Sequence, residues 1–131
     1  MIETRILNPH LLAMLARVRH TNRLVIADAM FPSWPEVPEV DLSLVAGLPT
    51  VPQVLAAVAS VWKPGIVWMA EEFHQHNNAA VLQEFLGALG SAADRVSFEP
   101  HLAVKARVPG STGLIRTGEM RIYTNVVMES R

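Results

Sequence analysis

Two short runs of uninterrupted apolar residues, Leu24-Val25-Ile26-Ala27 and Ile66-Val67-Trp68-Met69-Ala70, constrain this chain more than any other feature. Neither has the apolar–polar alternation of a strand with one wet face. Runs of this kind suit strands buried on both faces, which need cover on each side. Segments of helical periodicity between the runs supply that cover. Asn8-Pro9 opens the first, with Leu11, Leu12, Leu15 and Val18 on one face. Asn8 is placed to cap the free N–H groups, and proline suits the first helical position. Thr50 and Gln53 have capping-box spacing ahead of a second helix bearing Val51, Val54, Leu55, Val58, Val61 and Trp62. Asn77 or Asn78 caps a third, containing Val81, Leu82, Phe85, Leu86 and Leu89, and Gly90 is placed to end it.

Val96-Ser97-Phe98 reads as a further strand, followed by His101 and a short helix over Leu102–Arg107. Leu114-Ile115-Arg116 and Val126-Val127-Met128 read as strands paired with each other. Pro32, Pro35 and Pro38 exclude a regular helix and oppose central-strand pairing, so residues 31–39 form a stiff loop beside a strand end. Strands alternating with helices predict an α/β protein: a three-layer α/β/α sandwich, one domain over residues 1–131, with a largely parallel or mixed central sheet. Ligands in such folds sit beyond the carboxyl ends of strands, where Asp28 and Glu71 fall. His20 precedes its strand, and that rule does not bring it to Asp28.

Composition narrows the function. The 11 Lys and Arg nearly balance the 12 Asp and Glu, which excludes the basic stripe of a nucleic-acid binder. Without cysteine there is neither a disulfide nor a thiol nucleophile. No apolar run approaches a bilayer span of about 20 residues, and Met1-Ile2-Glu3-Thr4-Arg5 lacks a basic-then-apolar leader pattern. A cytoplasmic protein with no membrane partner is expected. Charged residues make up only 18% of the chain, against about 25% in an average domain. That shortage of charge predicts apolar surface facing other subunits.

Two longer motifs carry a resemblance. The first is Arg19-His20-Thr21-Asn22-Arg23-Leu24-Val25-Ile26-Ala27-Asp28-Ala29-Met30-Phe31-Pro32. The second is Ile115-Arg116-Thr117-Gly118-Glu119-Met120-Arg121-Ile122-Tyr123-Thr124-Asn125. With Val40-Asp41-Leu42, Gly47-Leu48-Pro49 and Ala70-Glu71-Glu72-Phe73-His74-Gln75-His76-Asn77 between them, the chain resembles the D-ribose pyranase/L-fucose mutarotase (RbsD/FucU) family from about residue 5 to residue 128. The resemblance implies a cytoplasmic, cofactor-free and metal-free isomerase that interconverts ring forms of a monosaccharide, pyranose to furanose or one anomer to the other. It implies His20 as catalytic acid/base and Asp28, His101, Tyr123 and Asn125 as sugar-binding residues. It also implies a ring-shaped homo-oligomer, an octamer or decamer. The family has glycine where Arg19 stands, so a positive φ there would strain arginine. Asn22 replaces an aspartate, and Thr124 replaces a smaller residue.

The chemistry suits these residue types. Opening a cyclic sugar takes a proton from the anomeric hydroxyl and delivers one to the ring oxygen, and an imidazole titrating near neutrality can do both. Plainer readings stand beside this one. Asp28 can cap a turn, and His101 can merely start a helix after Pro100. Glu71, Glu72, His74 and His76 invite a metal reading, but a divalent site needs three or four converging ligands, and a polar helix entrance ahead of the capping asparagines explains them better. Arg116 and Glu119 can form an ordinary turn pair, and Trp34 can pack rather than stack on a sugar. A non-catalytic sugar-binding or transport-accessory protein is the alternative to an enzyme.

Overall fold

The computed structural model describes residues 2–131; Met1, the first residue of the leader reading, lies outside the described residues. Six strands form one mixed sheet: β1 (Arg23–Ala27), β2 (Glu39–Asp41), β3 (Ile66–Ala70), β4 (Val96–Glu99), β5 (Gly113–Arg116) and β6 (Val126–Glu129). Their spatial order is β2-β5-β1-β6-β3-β4. β6 runs antiparallel to both β1 and β3, and every other pairing is parallel. The helices are α1 (Pro9–Ala16), α2 (Val51–Ala59), α3 (Phe73–His76), α4 (Ala79–Leu89) and α5 (His101–Ala106). A 3-10 segment, Gly90–Arg95, joins α4 to β4.

The two apolar runs are buried on both faces, as their composition requires. Leu24, Ile26, Val67, Met69, Ile115, Val126 and Met128 point into a core shared with α1, α2 and α4. Val25, Ala27, Trp68, Ala70, Leu114 and Val127 point the other way, against Phe31, Val37 and the α5 residue Val104. This strict alternation of cores is the period-two geometry of a pleated strand.

The helix ends follow local chemistry. Asn8 accepts from the N–H groups of His10 and Leu11. Thr50 and Gln53 close a complete capping box. Asn78, rather than Asn77, caps α4, and Gly90 ends it at φ 59°.

Two strand expectations are corrected. β5 and β6 do not pair, because β1 lies between them. Their connection is long enough to cross over the carboxyl end of β1, where Thr117 donates through both its N–H and its hydroxyl to the Ala27 carbonyl. The end of the proline loop is also not irregular. Glu39–Asp41 lies parallel to β5 as an edge strand, and the Pro38 carbonyl accepts from Leu114 N–H at 2.9 Å. An edge strand bonds on one side only, so a proline at its entrance costs no ladder bond.

Candidate functional site

The crossing of residues 117–125 over β1 builds a site. The Ala29 N–H donates to the Glu119 carbonyl at 2.9 Å, tying the loop after β1 to the crossing segment. Asn125, 3% exposed, accepts from the Asp28 N–H through Oδ1 at 2.8 Å. Asp28 in turn accepts from the Met30 N–H at 2.9 Å, so its turn-capping reading holds beside any other role. Burial pushes the Asp28 carboxyl above the ordinary value of 3.8. The N–H groups of Met30 and Phe31, the Asn125 amide and the Arg116 charge offset part of that rise.

His101 is the first residue of α5, the helix that follows β4. Its ring meets Tyr123 edge-on, with centroids 5.2 Å apart, and Phe31 at 6.2 Å. Its Nδ1 is buried without a hydrogen-bond partner. Tyr123 sits at φ 58°, a conformation that costs a bulky residue strain and marks functional loops. Thr124 helps to hold it there, since its buried hydroxyl donates to the Arg121 carbonyl at 2.9 Å. The larger side chain at that position therefore has its own place.

Asp28, His101, Tyr123 and Asn125 line one cleft of about 300 Å³, with Met30, Phe31 and Ile122 as apolar walls. A cleft of about 430 Å³ between α1 and β2 is larger, but contains none of these four residues. Convergence of titratable and amide groups, rather than size, makes the smaller one the candidate site.

His20 is not among the residues brought together. It lies in the exposed turn before β1, whereas Asp28 follows the end of β1. That strand alone spans roughly 13 Å at about 3.3 Å per residue. The antiparallel neighbour gives the same answer. Asn125 precedes β6, and Ser130, which accepts from the Thr21 N–H, follows it.

The His20 turn is well made despite its substitutions. Positive φ falls on Thr21, at 66°, and not on Arg19. Asn22 accepts from the Arg19 N–H at 2.8 Å, and the Arg19 guanidinium donates to the Ala16 and Val18 carbonyls. The strain expected at Arg19 is absent there.

Arg116 and Glu119 are not a turn pair. Arg116 is 8% exposed and donates to the carbonyls of Asp28 and Phe31, while its other nitrogens bond Glu39 and Ser33. It fixes the loop that forms one wall of the cleft. Glu119 is 2% exposed and pairs with Arg121 at 2.8 Å. Burial acts to raise its pKa, but hydrogen bonds from Arg121 and the Val51 N–H outweigh this and hold it below the ordinary 4.5. The sequence signal for both was their recurrence in the second motif, which carried no role with it. Trp34 packs on Phe31 at 5.5 Å and does not line the cleft.

The residues of the metal reading diverge. Glu72 bonds the His101 N–H, His74 packs on Phe98, and His76 packs on Tyr123. No group of three or more potential metal ligands converges among the described residues.

A mixed α/β sheet with helices on both faces carries a small cleft that brings together a buried carboxylate, an imidazole, a phenol and an amide, groups suited to hydrogen-bonding a small hydroxylated molecule and to moving a proton. The chain belongs to the RbsD / FucU transport protein family, whose model matches residues 1–130. It is 33% identical over 133 residues to a D-ribose pyranase of Rhodopirellula baltica, covering 99% of this chain and 97% of that one. It is 35% identical over 130 residues to a D-ribose pyranase of Geobacillus kaustophilus, covering 99% and 93%. Among solved structures, Bacillus subtilis RbsD complexed with D-ribose superposes with a TM-score of 0.88 at 33% identity, covering 99% and 97%. The fucose mutarotase of Streptococcus pneumoniae shares the fold, with a TM-score of 0.77 at 15% identity over 99% and 97%.

Proposed function

We infer that this protein is an isomerase that interconverts the ring forms of a monosaccharide, with D-ribose, pyranose to furanose, as its substrate. The observation that carries this reading is the convergence of Asp28, His101, Tyr123 and Asn125 on one cleft, in a chain about one third identical over its length to D-ribose pyranases. Asp28 and Asn125 orient sugar hydroxyls, and a hydroxyl gives the unpartnered His101 Nδ1 a partner. The reaction balances without a co-reactant. The anomeric hydroxyl loses a proton, the bond from the anomeric carbon to the ring oxygen breaks, and the ring oxygen gains a proton. Reclosure adds a different hydroxyl to the resulting carbonyl, and that hydroxyl's proton returns to the carbonyl oxygen. Neither step requires a metal or an organic cofactor.

His20 is the proton shuttle of this proposal, and it comes from a second copy of the chain. Two features support that arrangement. His20 is exposed at one end of β1, and the cleft at the other end is edged by the exposed apolar residues Met30 and Ile122. A ring of subunits in which each His20 turn meets the next subunit's cleft joins the two and covers that rim.

Magnetisation-exchange NMR on an equilibrated ribose solution tests the activity. Catalytic amounts of the protein transfer saturation between pyranose and furanose anomeric signals, and His20→Ala slows that transfer on the order of 10²–10⁴-fold, the usual general acid–base contribution. Sugar binding without saturation transfer would identify the protein as a non-catalytic binder or transport accessory. His20→Ala exchanging at the parent rate would remove the shuttle assignment alone.

A further inference from the structure

The stretch Glu72-Phe73-His74-Gln75-His76-Asn77 supplies no lining residue to the cleft, yet nearly every side chain in it has a partner. Phe73 is fully buried and meets Phe85 of α4 edge-on at 5.1 Å. His74 packs on Phe98 of β4 at 4.3 Å. These two contacts anchor the single turn of α3 to the core and to the sheet.

The remaining groups reach toward the site. The Glu72 carboxylate accepts from the His101 N–H through both oxygens, at 3.0 and 3.1 Å. The His76 ring lies 4.8 Å from the Tyr123 ring. The Asn77 amide donates to the Ile122 carbonyl at 3.0 Å, one residue before the strained Tyr123. One anchored turn thus holds both His101 and Tyr123, which come from segments far apart in the chain.

We propose that this turn is a brace that sets the spacing of the sugar site's two rings, with Glu72 as the positioning residue for His101 and His76 as the positioning residue for Tyr123. The proposal rests on the reading of the cleft as a sugar site. Its physical basis is the positive φ of Tyr123: a conformation of this kind persists only where its surroundings over-determine it. His76 restrains Tyr123 on the side of the ring contact, and Asn77 restrains the backbone just before it. Glu72 keeps the start of α5 from fraying, so the imidazole keeps its edge toward the phenol. Neither Glu72 nor His76 needs to touch the sugar.

Tyr123 is the only tyrosine in the chain, so protein made with ring-¹³C tyrosine reports this one ring without assignment. The comparison uses the full chain and its His76→Ala, His76→Phe, Glu72→Ala and Glu72→Gln variants, each checked for folding by thermal unfolding. In the sugar-free protein, His76→Ala should shift and broaden the Tyr123 signal, and His76→Phe should restore a single sharp one. Glu72→Ala should weaken the nuclear Overhauser contact between Tyr123 and His101, and Glu72→Gln, which keeps an acceptor oxygen, should preserve it. If Glu72→Ala does not fold, the His76 pair decides. In ribose exchange, His76→Ala should raise KM roughly two- to tenfold, the scale of one aromatic pair, with kcat little changed.

Parent-like Tyr123 signals in sugar-free His76→Ala and Glu72→Ala would overturn the brace. So would a His76→Phe protein no better than His76→Ala. A parent Tyr123 signal unmoved by both ribose and fucose would instead overturn the sugar reading of the cleft, while the sugar-free comparison would still judge the brace.

Discussion

Asp28 sits at 6% exposure in a position where a carboxylate costs stability. Burial raises its pKa above 3.8 and the surrounding donors only partly compensate, so the folded chain binds this proton more tightly than the unfolded chain. The associated stability is complete below 3.8 and is lost as pH rises through the folded-state value. At neutral pH the ionised group is therefore a burden on the fold. Asp28→Asn should unfold at a temperature equal to or above the parent's at pH 7, with the difference closing as pH approaches 4. The asparagine Oδ1 still accepts from Met30. The same variant should bind ribose more weakly, since hydrogen bonds to a charged group contribute about 1.5–3 kcal/mol. A melting series with ribose titrations at both pH values checks this. A stability deficit that does not change with pH would mean that the carboxylate serves the turn rather than the ligand. The position of Asp28 at a strand end was legible because it follows an unmistakable buried strand. That of Arg116 was not, because its acceptors, Glu39 and the Asp28 and Phe31 carbonyls, are distant in sequence.

At the scale of elements, the crossing segment depends on a close backbone approach. Gly118 donates its N–H to the Pro49 carbonyl at 2.8 Å, and its own carbonyl accepts from Gly47. A Cβ on Gly118 would lie 2.5 Å from the Leu48 carbonyl oxygen and 2.6 Å from that of Val45. Both obstacles are main chain and cannot swing aside. Gly118→Ala should therefore destabilise the protein by about 1–3 kcal/mol, the usual cost of overpacking. It should also weaken ribose binding, because the displaced segment carries Tyr123 and Asn125. Urea unfolding together with a ribose titration measures both, and a parent-like midpoint would show that the loop over residues 43–49 yields. Helix caps were legible at this scale because a cap is satisfied within three residues, as Thr50 with Gln53 shows. Strand pairing was not, because β5 bonds β1 and β2 through contacts that no local pattern encodes.

For the whole molecule, several exposed large apolar residues lie in the segments that follow β1, β2 and β5. Leu44, Val45 and Leu48 are 73%, 59% and 44% exposed, Leu44 and Val45 share a depression with the exposed Met120, and Met30 and Ile122 edge the cleft. Subunit contacts would remove this surface from water. Light scattering should give a mass several times the 14.4 kDa of one chain, and a stable monomer at micromolar concentration would leave the rim unexplained. If each site draws His20 from a neighbour, mixed oligomers of His20→Ala and Tyr123→Ala should regain part of the activity that each lacks. Subunits would be dissociated and reassembled together, and mixing confirmed by native mass spectrometry. Verified mixtures with no recovery would mean that His20 does not complete a neighbour's cleft.

The sequence by itself determined what short-range physics can specify. Two-faced burial of Leu24–Ala27 and Ile66–Ala70, the caps of α1, α2 and α4 and the α/β class all follow from it. Asp28, His101, Tyr123 and Asn125 became candidates through the family resemblance, carried by whole motifs and their spacing, since no single one of them is distinctive alone. Tertiary structure decided which strands are neighbours, that residues 117–125 cross β1, and that Glu72 and His76 stand behind His101 and Tyr123. It also set His20 at the far end of the strand from the cleft. The reason is physical: caps and periodicity are satisfied within a few residues, whereas strand order and a converging site depend on contacts between segments whose separation along the chain carries no record of their meeting.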